Sequence, residues 1–320
     1  MRVLHLITTL DVGGAEMHLL AQVRGQCARG NTVQVRYLKG QGTLADDFRR
    51  AGADVGALGG GWTAWRGLCA AFARCDIVHS HLLKADGLAA SVALLRGARD
   101  KLVSSKHNDE QVLKRPIVSI LHGLLGNLPR RTIVLSDHVG RFMAEHGRVR
   151  AEKLVRIYYG LDPLPFEAAR EQAGAERASV RAELGLLPDD IVFICVARFA
   201  PQKAHDVLLR ALACARTGTD ARRIKLVLVG DDPFGDGRER VRRLARELGP
   251  EHESAVVFTG IRRDVPRLMA ASDVFVMSSL WEGLGLVLLE AMATRLPVLS
   301  TRVSAIPEVV LDGETGLLVP

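Results

Sequence analysis

Ser278–Ala293, SSLWEGLGLVLLEAMA, is the stretch on which the reading of this chain turns. The apolar run Val274–Met277 before it predicts a buried strand, and Leu286–Ala293 predicts the helix that follows. Between them Gly283 and Gly285 let the backbone approach a bound group, and the amides of Leu284, Gly285 and Leu286 at the helix start point toward it. That geometry makes a seat for phosphate. Glu282 in the loop and Glu290 in the helix, with seven residues between them, can face one crevice at different depths. Carboxylates repel phosphate, so these two must serve something else. Each accepts two hydrogen bonds at once, as the neighbouring hydroxyls of a ribose or a hexose require. A sugar nucleotide carries such hydroxyls on both sides of its diphosphate. Taken alone, the same residues also describe a tight turn and a helix with two solvated glutamates.

The totals bound the problem. At 320 residues, with 48% hydrophobic and 25% charged residues, the chain has the composition of a soluble globular protein and the length for two cores. Its five cysteines, Cys27, Cys69, Cys75, Cys195 and Cys214, are scattered without a C-x-x-C pair, which argues against a disulfide framework and a zinc site and fits a reducing cytoplasm. The amino terminus, MRVLHLITTL, reads as a first strand rather than a signal peptide, and no apolar run is long enough for a bilayer. The net charge of +7 is concentrated in the first half, while the second half is close to balance. Such a field favours an anionic partner. Aromatics make up only 5% of the chain and no nucleic-acid motif is present, so an anionic membrane surface ranks above nucleic acid.

The first half alternates strands and helices, with strands expected at Val3–Thr8, Thr32–Leu38, Ile77–Ser80, Lys101–Ser105, Thr132–Leu135 and Leu154–Tyr158. This pattern predicts a parallel sheet covered on both faces, with ligands at the carboxyl ends of its strands. Three features stand at such ends. Asp11–Glu16, DVGGAE, is a glycine turn opening a helix; it offers another anion contact or is a plain tight turn. His79 and His81 of the HSH triplet share a strand face, with a hydrogen-bonded structural role as the alternative for His79 and too few ligands in view for a metal. His107, in SSKHN, lies over the crevice, where it would orient or polarise a hydroxyl unless it is merely solvated. Farther on, Gln111–Arg131 combines apolar residues with Lys114, Arg115, Arg130 and Arg131, as a basic amphipathic helix with a loop on an acidic membrane would, or as a solvated face would.

Gly160, Pro163 and Pro165 break the pattern, placing a hinge near Asp162 and dividing the chain into residues 1–162 and 163–320. A helical stretch, Glu167–Leu184, then precedes strands at Ile191–Val196, Lys225–Val229, Ala255–Phe258, Asp273–Met277, Leu296–Ser300 and Gly316–Val319. Arg198 and Lys203 bracket the turn after the first of these, where a diphosphate needs positive charge. No two aspartates stand two apart, so a D-x-D metal clamp is missing and the diphosphate would rest on Arg198, Lys203 and helix amides.

Together DVGGAE, HSHL, SSKHN, VLSD, IYYGLD, ARFAPQKAHD, LVGDDP, the run from Phe258 through Ala293, and IPEVVLDGETGLLVP resemble the retaining glycosyltransferases of family 4. The resemblance implies an α/β protein of the GT-B fold, two Rossmann-like, doubly wound parallel-sheet domains facing a central cleft, acceptor side first and donor side second. It implies transfer from a nucleotide-sugar to a glycan or lipid-linked acceptor in the synthesis of a cell-surface polysaccharide or glycolipid. No metal or other cofactor is implied, and neither is nucleic acid. The site is expected in the cytoplasm, with peripheral attachment to the inner membrane face as a further expectation. By matching positions, Arg198 and Lys203 correspond to the diphosphate cations, Glu290 to the ribose ligand and Glu282 to the contact with donor-sugar hydroxyls. Leu284, Gly285 and Leu286 form the amide cradle, Gly14 reaches the phosphates, and His107 falls on the active-site histidine, with His81 a weaker candidate. No well-placed nucleophile suggests a covalent intermediate, so a same-face attack is the expected route.

The departures from the family pattern are specific. Tyr159 stands where asparagine is usual, Ala197 and Ala204 where glycines are usual, and Ser304 and Ala305 where a glycine pair is usual. Family members also continue past LLVP into helices, one of which returns to the first domain, so the second domain is expected to be incomplete at its carboxyl end. The rival reading is a relative that holds a sugar nucleotide but transfers nothing. An NAD-dependent oxidoreductase ranks third, because no G-x-G-x-x-G follows the first strand.

Overall fold

Short apolar strands separated by helices carry the whole chain, and every strand pairing in the two resulting sheets is parallel. The computed structural model describes residues 1–59, 61–217, 223–233 and 235–320, apart from the side chains of residues 63 and 64. The chain divides into two units, Met1–Gly160 and Leu161–Pro320.

The first unit runs β1 (Arg2–Ile7), α1 (Gly14–Ala28), β2 (Thr32–Tyr37), α2 (Ala45–Arg50), β3 (Asp54–Ala57), α3 (Gly61–Arg74), β4 (Ile77–His81) and α4 (Leu83–Arg96). It continues with β5 (Leu102–Lys106), α5 (Pro116–Gly126), β6 (Arg131–Val134), α6 (Asp137–Glu145) and β7 (Leu154–Arg156). The sheet order β3-β2-β1-β4-β5-β6-β7 reverses between β1 and β4. Successive residues of β1 feed opposite cores: Leu4 and Leu6 pack with α3 and α4 residues such as Phe72 and Ala89, while Ile7 packs with Leu19, Leu20 and Val23 of α1. A strand buried on both faces reads as a near-continuous apolar run, which is why β1 is legible.

The second unit runs α7 (Leu164–Glu183), β8 (Ile191–Val196), α8 (His205–Ala215), β9 (Ile224–Val229), α9 (Gly237–Leu248) and α10 (Pro250–Glu253). Then follow β10 (Val256–Gly260), α11 (Val265–Ala270), β11 (Val274–Met277), α12 (Leu286–Ala293), β12 (Val298–Thr301) and β13 (Gly316–Val319). The order β10-β9-β8-β11-β12-β13 reverses between β8 and β11. Ile194 and Cys195, adjacent in β8, belong to the cores on opposite faces. Helix α7 is tied to the base of the sheet by charge as well as by packing. Arg177 and the buried Arg181 both pair with Asp273, whose second oxygen also accepts from the Val192 amide at 2.8 Å.

Three expectations need correction. Strand β3 is absent from the expected set: four residues containing Gly56, at the sheet edge, carry too little apolar signal. The strand expected to reach Tyr158 ends at Arg156, beyond which Ile157 keeps one bond to Val134 O and then leaves the edge exposed. Gln111–Arg131 holds a helix and a loop, but the helix is not basic. Gln111–Lys114 is a 3-10 turn, and α5 is an apolar helix, PIVSILHGLLG, that starts at Pro116, a residue suited to the first helical turn, with the cations outside it at both ends.

The buried face of the first sheet away from α1 holds one polar network. Lys106 Nζ donates to Asp86 Oδ2, Ser80 and Ser104 hydroxyls donate to Asp86 Oδ1, and His122 faces Lys106 at 3.3 Å. Removing one member of a buried pair leaves the other charge without compensation, which typically costs about 3–5 kcal/mol. Asp86→Ala is therefore expected to lower first-unit stability by about that amount in urea unfolding, whereas Asp86→Leu combined with Lys106→Met should recover most of the loss.

Candidate functional site

In each sheet the strand order reverses at one point, and an open crevice at the carboxyl ends of the two flanking strands is where doubly wound folds take ligands. In the second unit those strands are β8 and β11, followed by the connections 197–204 and 278–285. Hydrogen bonds lace the region together. Leu280 N donates to Gln202 O at 2.8 Å, Gln202 Nε2 to Trp281 O at 2.6 Å, Ser278 Oγ to Lys203 O and Ala204 O at 2.9 and 3.0 Å, and Thr301 Oγ1 to Ser279 O at 2.6 Å.

On this frame Lys203 Nζ donates to Glu282 Oε1, and Ser279 Oγ donates to the same oxygen at 2.6 Å. Both charged side chains are largely withdrawn from solvent, so their mutual attraction is weakly screened and each holds the other in place. The cation expected for a diphosphate and the carboxylate expected for sugar hydroxyls thus meet directly, an arrangement residue spacing could not reveal. Arg198 stands exposed on the same connection, and its guanidinium has no hydrogen bond or ion pair among the described residues.

Gly285 caps α12 with φ +81, a conformation that side chains rarely adopt, and a Cβ there would lie 2.9 Å from Leu288 Cδ1. No side chain caps this helix, so its first amides face the loop. Leu284 is buried and Leu286 begins the helix. Glu290 lies one turn farther along, and its carboxylate has no hydrogen-bond partner among the described residues. Burial pushes its pKa up to about 7. An under-solvated carboxylate of this kind gains from hydroxyl donors.

In the first unit the reversal lies between β1 and β4. Gly14 is the first residue of α1, exposed, and a Cβ on it would meet nothing within 4 Å. Its neighbour Gly13 is the constrained one, since a Cβ there would sit 2.5 Å from Glu16 Oε2; the Glu16 carboxylate is buried and accepts from Thr9 Oγ1 at 2.7 Å. Register places His5 opposite His79, and His81 opposite Ser105, so these residues and His107 two positions on share one sheet face.

His107 does not lie open over the crevice as expected. It is buried, with Nε2 3.0 Å from His81 Nδ1 and Nδ1 2.6 Å from the Tyr159 hydroxyl, so both ring nitrogens are engaged within the protein. His79 bonds Ser105 Oγ at 2.7 Å, the structural role weighed for it, and His81 is fully buried. The sequence reading missed His5, which bonds His81 at 3.0 Å and whose nitrogen lies with those of His79 and His81 within 4.8 Å. The available signal was strand parity, because His5 and the HSH triplet fall on adjacent strands at matching alternation. Desolvation lowers all these imidazoles, His5 to about 4 and His107 to about 3, which keeps them neutral.

The two doubly wound units with loops joined at a topological switch point define the GT-B class of α/β protein. Sequence models match both units: Glycosyltransferase Family 4 over residues 12–163 and Glycosyl transferases group 1 over residues 190–320. The chain belongs to these family 4, group 1 glycosyltransferases. It is 34% identical over 268 residues to D-inositol 3-phosphate glycosyltransferase of Saccharomonospora viridis, covering 77% of this chain and 58% of that one. It is 29% identical over 245 residues to N-acetyl-alpha-D-glucosaminyl L-malate synthase of Bacillus anthracis, covering 76% and 61%. The chain therefore spans about three fifths of these curated relatives. The crystal structure of Anabaena Alr3699/HepE in complex with UDP and glucose shares the fold with a TM-score of 0.83 at 22% identity, over 99% of this chain and 85% of that one.

Two of the departures from the family pattern have a backbone cost. Ala204, which caps α8, has φ +44, and Ser304 has φ +49, both in the left-handed region where a Cβ crowds the carbonyl. Ala204→Gly is expected to stabilise the protein by about 0.5–1 kcal/mol in urea unfolding, since relief of left-handed strain exceeds the added chain entropy of glycine.

Proposed function

We propose that this protein transfers a sugar from a nucleotide-sugar donor, with the diphosphate seated at the mouth of α12. The observation that carries this reading is the Lys203–Glu282 pair set at the β8/β11 switch point beside a glycine-capped helix start. Anions gather at such helix starts. The names of the relatives and the UDP and glucose of the Anabaena structure support the same chemistry.

Arg198, Lys203 and the amides of Leu284, Gly285 and Leu286 take the diphosphate, Glu290 the ribose hydroxyls and Glu282 the hydroxyls of the donor sugar. The first unit takes the acceptor, a glycan or lipid-linked saccharide of cell-surface polysaccharide or glycolipid synthesis. In the reaction the bond from the anomeric carbon to the leaving phosphate oxygen breaks as the acceptor oxygen attacks from the same face. The acceptor proton passes to the leaving phosphate, and configuration is retained. Arg198, Lys203 and the helix amides stabilise the developing charge, without a metal or other cofactor.

Glu282→Gln separates transfer from mere binding. Turnover measured with UDP-, GDP- and ADP-sugars should fall about 100-fold or more, as for loss of a group acting on the transition state, while the matching nucleoside diphosphate still binds. Nucleotide binding without turnover in either protein would favour the inactive-relative reading.

Glu290 adds a pH signature. Ribose hydroxyls donate to its ionised form, so binding draws the raised pKa back down and is strongest above about pH 7. Donor affinity should weaken as pH falls through 7, and Glu290→Gln should bind more weakly with no such inflection. An unchanged inflection in that variant would remove Glu290 from the ribose.

A peripheral position on the inner membrane face, from the cytoplasmic side, is supported by α5. Its exposed residues Ile117, Ile120, Leu121 and Leu124 form one apolar stripe at helical spacing, with exposed Lys114 and Arg115 at the amino end. No helix among the described residues is long and apolar enough to cross a membrane. Sedimentation with vesicles containing anionic lipid should be lost on Ile117→Ser with Leu121→Ser, and should become weaker and less salt-sensitive on Lys114→Glu with Arg115→Glu. Unchanged sedimentation by both pairs would reject this surface.

A further inference from the structure

The amino ends of the second sheet border a groove that the donor chemistry, placed at the carboxyl ends, does not use. The groove holds about 560 Å³, the scale of a small-molecule site, and runs between α7 and the residues that lead into β11 and β12. Its lining is one-sided in charge. Arg170 and Arg177 come from α7 and Arg295 from the turn before β12, whereas Asp273 is the one acidic residue among the described residues that line it. That carboxylate is already taken: Oδ1 accepts from Arg177, and Oδ2 accepts from the buried Arg181 at 2.7 Å and from the Val192 amide at 2.8 Å. Arg177 also donates to Ser272 O at 3.1 Å. Arg170 and Arg295 are exposed, and neither guanidinium has a hydrogen bond or ion pair among the described residues. Two arginines therefore share a single carboxylate, and two more face the groove with none.

A solvated helix face is built differently. The acids of α7 that pair with arginines do so away from the groove, Glu176 with Arg267 and Glu183 with Arg262. One turn after Arg170, where an acid would pair with it, stands Gly174. A Cβ at that position would meet nothing within 4 Å, so packing within the chain does not require glycine in the middle of this helix, where alanine is favoured. Arg295 is held at φ +56, a left-handed conformation that side chains rarely adopt. Both choices cost stability, and both border the same groove. We propose that this groove binds a small phosphate-bearing molecule of sugar-phosphate size, with Arg170, Arg177 and Arg295 as its cations and Gly174 leaving room for it beside α7. Guanidinium forks match phosphate oxygens two at a time, which a point charge does not. Ala173 and Pro297, also in the lining, offer apolar surface to the rest of the molecule. The site lies at the opposite ends of the strands from the Lys203–Glu282 pair, and the inference stands whether or not the protein transfers sugar.

Titration of this chain with glucose 6-phosphate, pyrophosphate and glucose, followed through the amide signals of Gly174 and Arg295 in nitrogen-15 NMR, reads the groove separately from the anion seat at α12. The two phosphate compounds should shift both signals saturably, with a Kd of about 1 mM or tighter, and glucose should not. Arg170→Ala with Arg295→Gly, read at Gly174, should weaken glucose 6-phosphate by about tenfold or more. The same variant should raise the urea midpoint, because glycine relieves the left-handed turn and alanine suits the helix, so lost binding cannot be ascribed to lost folding. Gly174→Glu, read at Arg295, should weaken binding as much by placing a carboxylate in the groove, whereas Arg198→Ala should leave this titration unchanged. No saturable shift at Gly174 and Arg295 below about 10 mM, an equal response to glucose, or unchanged affinity in the Arg170 and Arg295 variant would overturn the site. Shifts produced by vesicles containing phosphatidic acid, with none from glucose 6-phosphate, would assign the groove to a lipid headgroup and overturn the small-molecule ligand.

Discussion

The contact between Lys203 and Glu282 is the constraint around which the second unit is arranged. A lysine and a glutamate withdrawn from water are stable only as a pair, and the pair exists only if the connections after β8 and β11 lie side by side. The sheet order guarantees that, because the strand sequence reverses between those two strands. The bonds of Gln202, Ser278 and Leu280 then fix the loops to each other. Charge, topology and loop geometry thus all lead to one place, the start of a helix that no side chain caps.

Much of this is legible because local pattern and global fold agree. Strand β8 and helix α12 have the limits expected from the sequence, since IVFICV is a continuous apolar run and Gly285 stands at the helix border. Residue type at strand ends singles out Arg198, Lys203 and Glu282 as candidates, and Glu290 follows from its spacing in the helix. What spacing could not show is which of them touch. The Lys203–Glu282 pair spans 79 positions, and the histidine row depends on register across β1, β4 and β5. Position alone puts His107 over an open crevice, whereas its neighbours bury it. The stretch around α5 misleads for a related reason: Lys114, Arg115, Arg130 and Arg131 flank the helix and do not share its face.

The departures from the family pattern also take physical form. Ala204 and Ser304 keep the left-handed backbone that glycine usually provides, so the loop shapes persist at some cost in strain. Tyr159 does more than fill a position, since its hydroxyl closes the bond to His107. Buried polar groups in both units are mostly matched to one another: Asp86 with Lys106 and two serines, Asp273 with two arginines, and the imidazoles in series. Glu290 stands apart, a desolvated carboxylate with no partner among the described residues, one turn into the helix whose first amides face the loop.

Calorimetric titration of this chain with UDP, GDP and ADP, each beside its own nucleoside, tests the anion seat at α12. One diphosphate is expected to bind at least about 100-fold more tightly than its nucleoside, roughly 2.7 kcal/mol, and Arg198→Ala with Lys203→Met to remove most of that difference. Equal affinity for nucleoside and diphosphate, or a diphosphate preference untouched by the double substitution, would contradict an anion seat at this helix mouth.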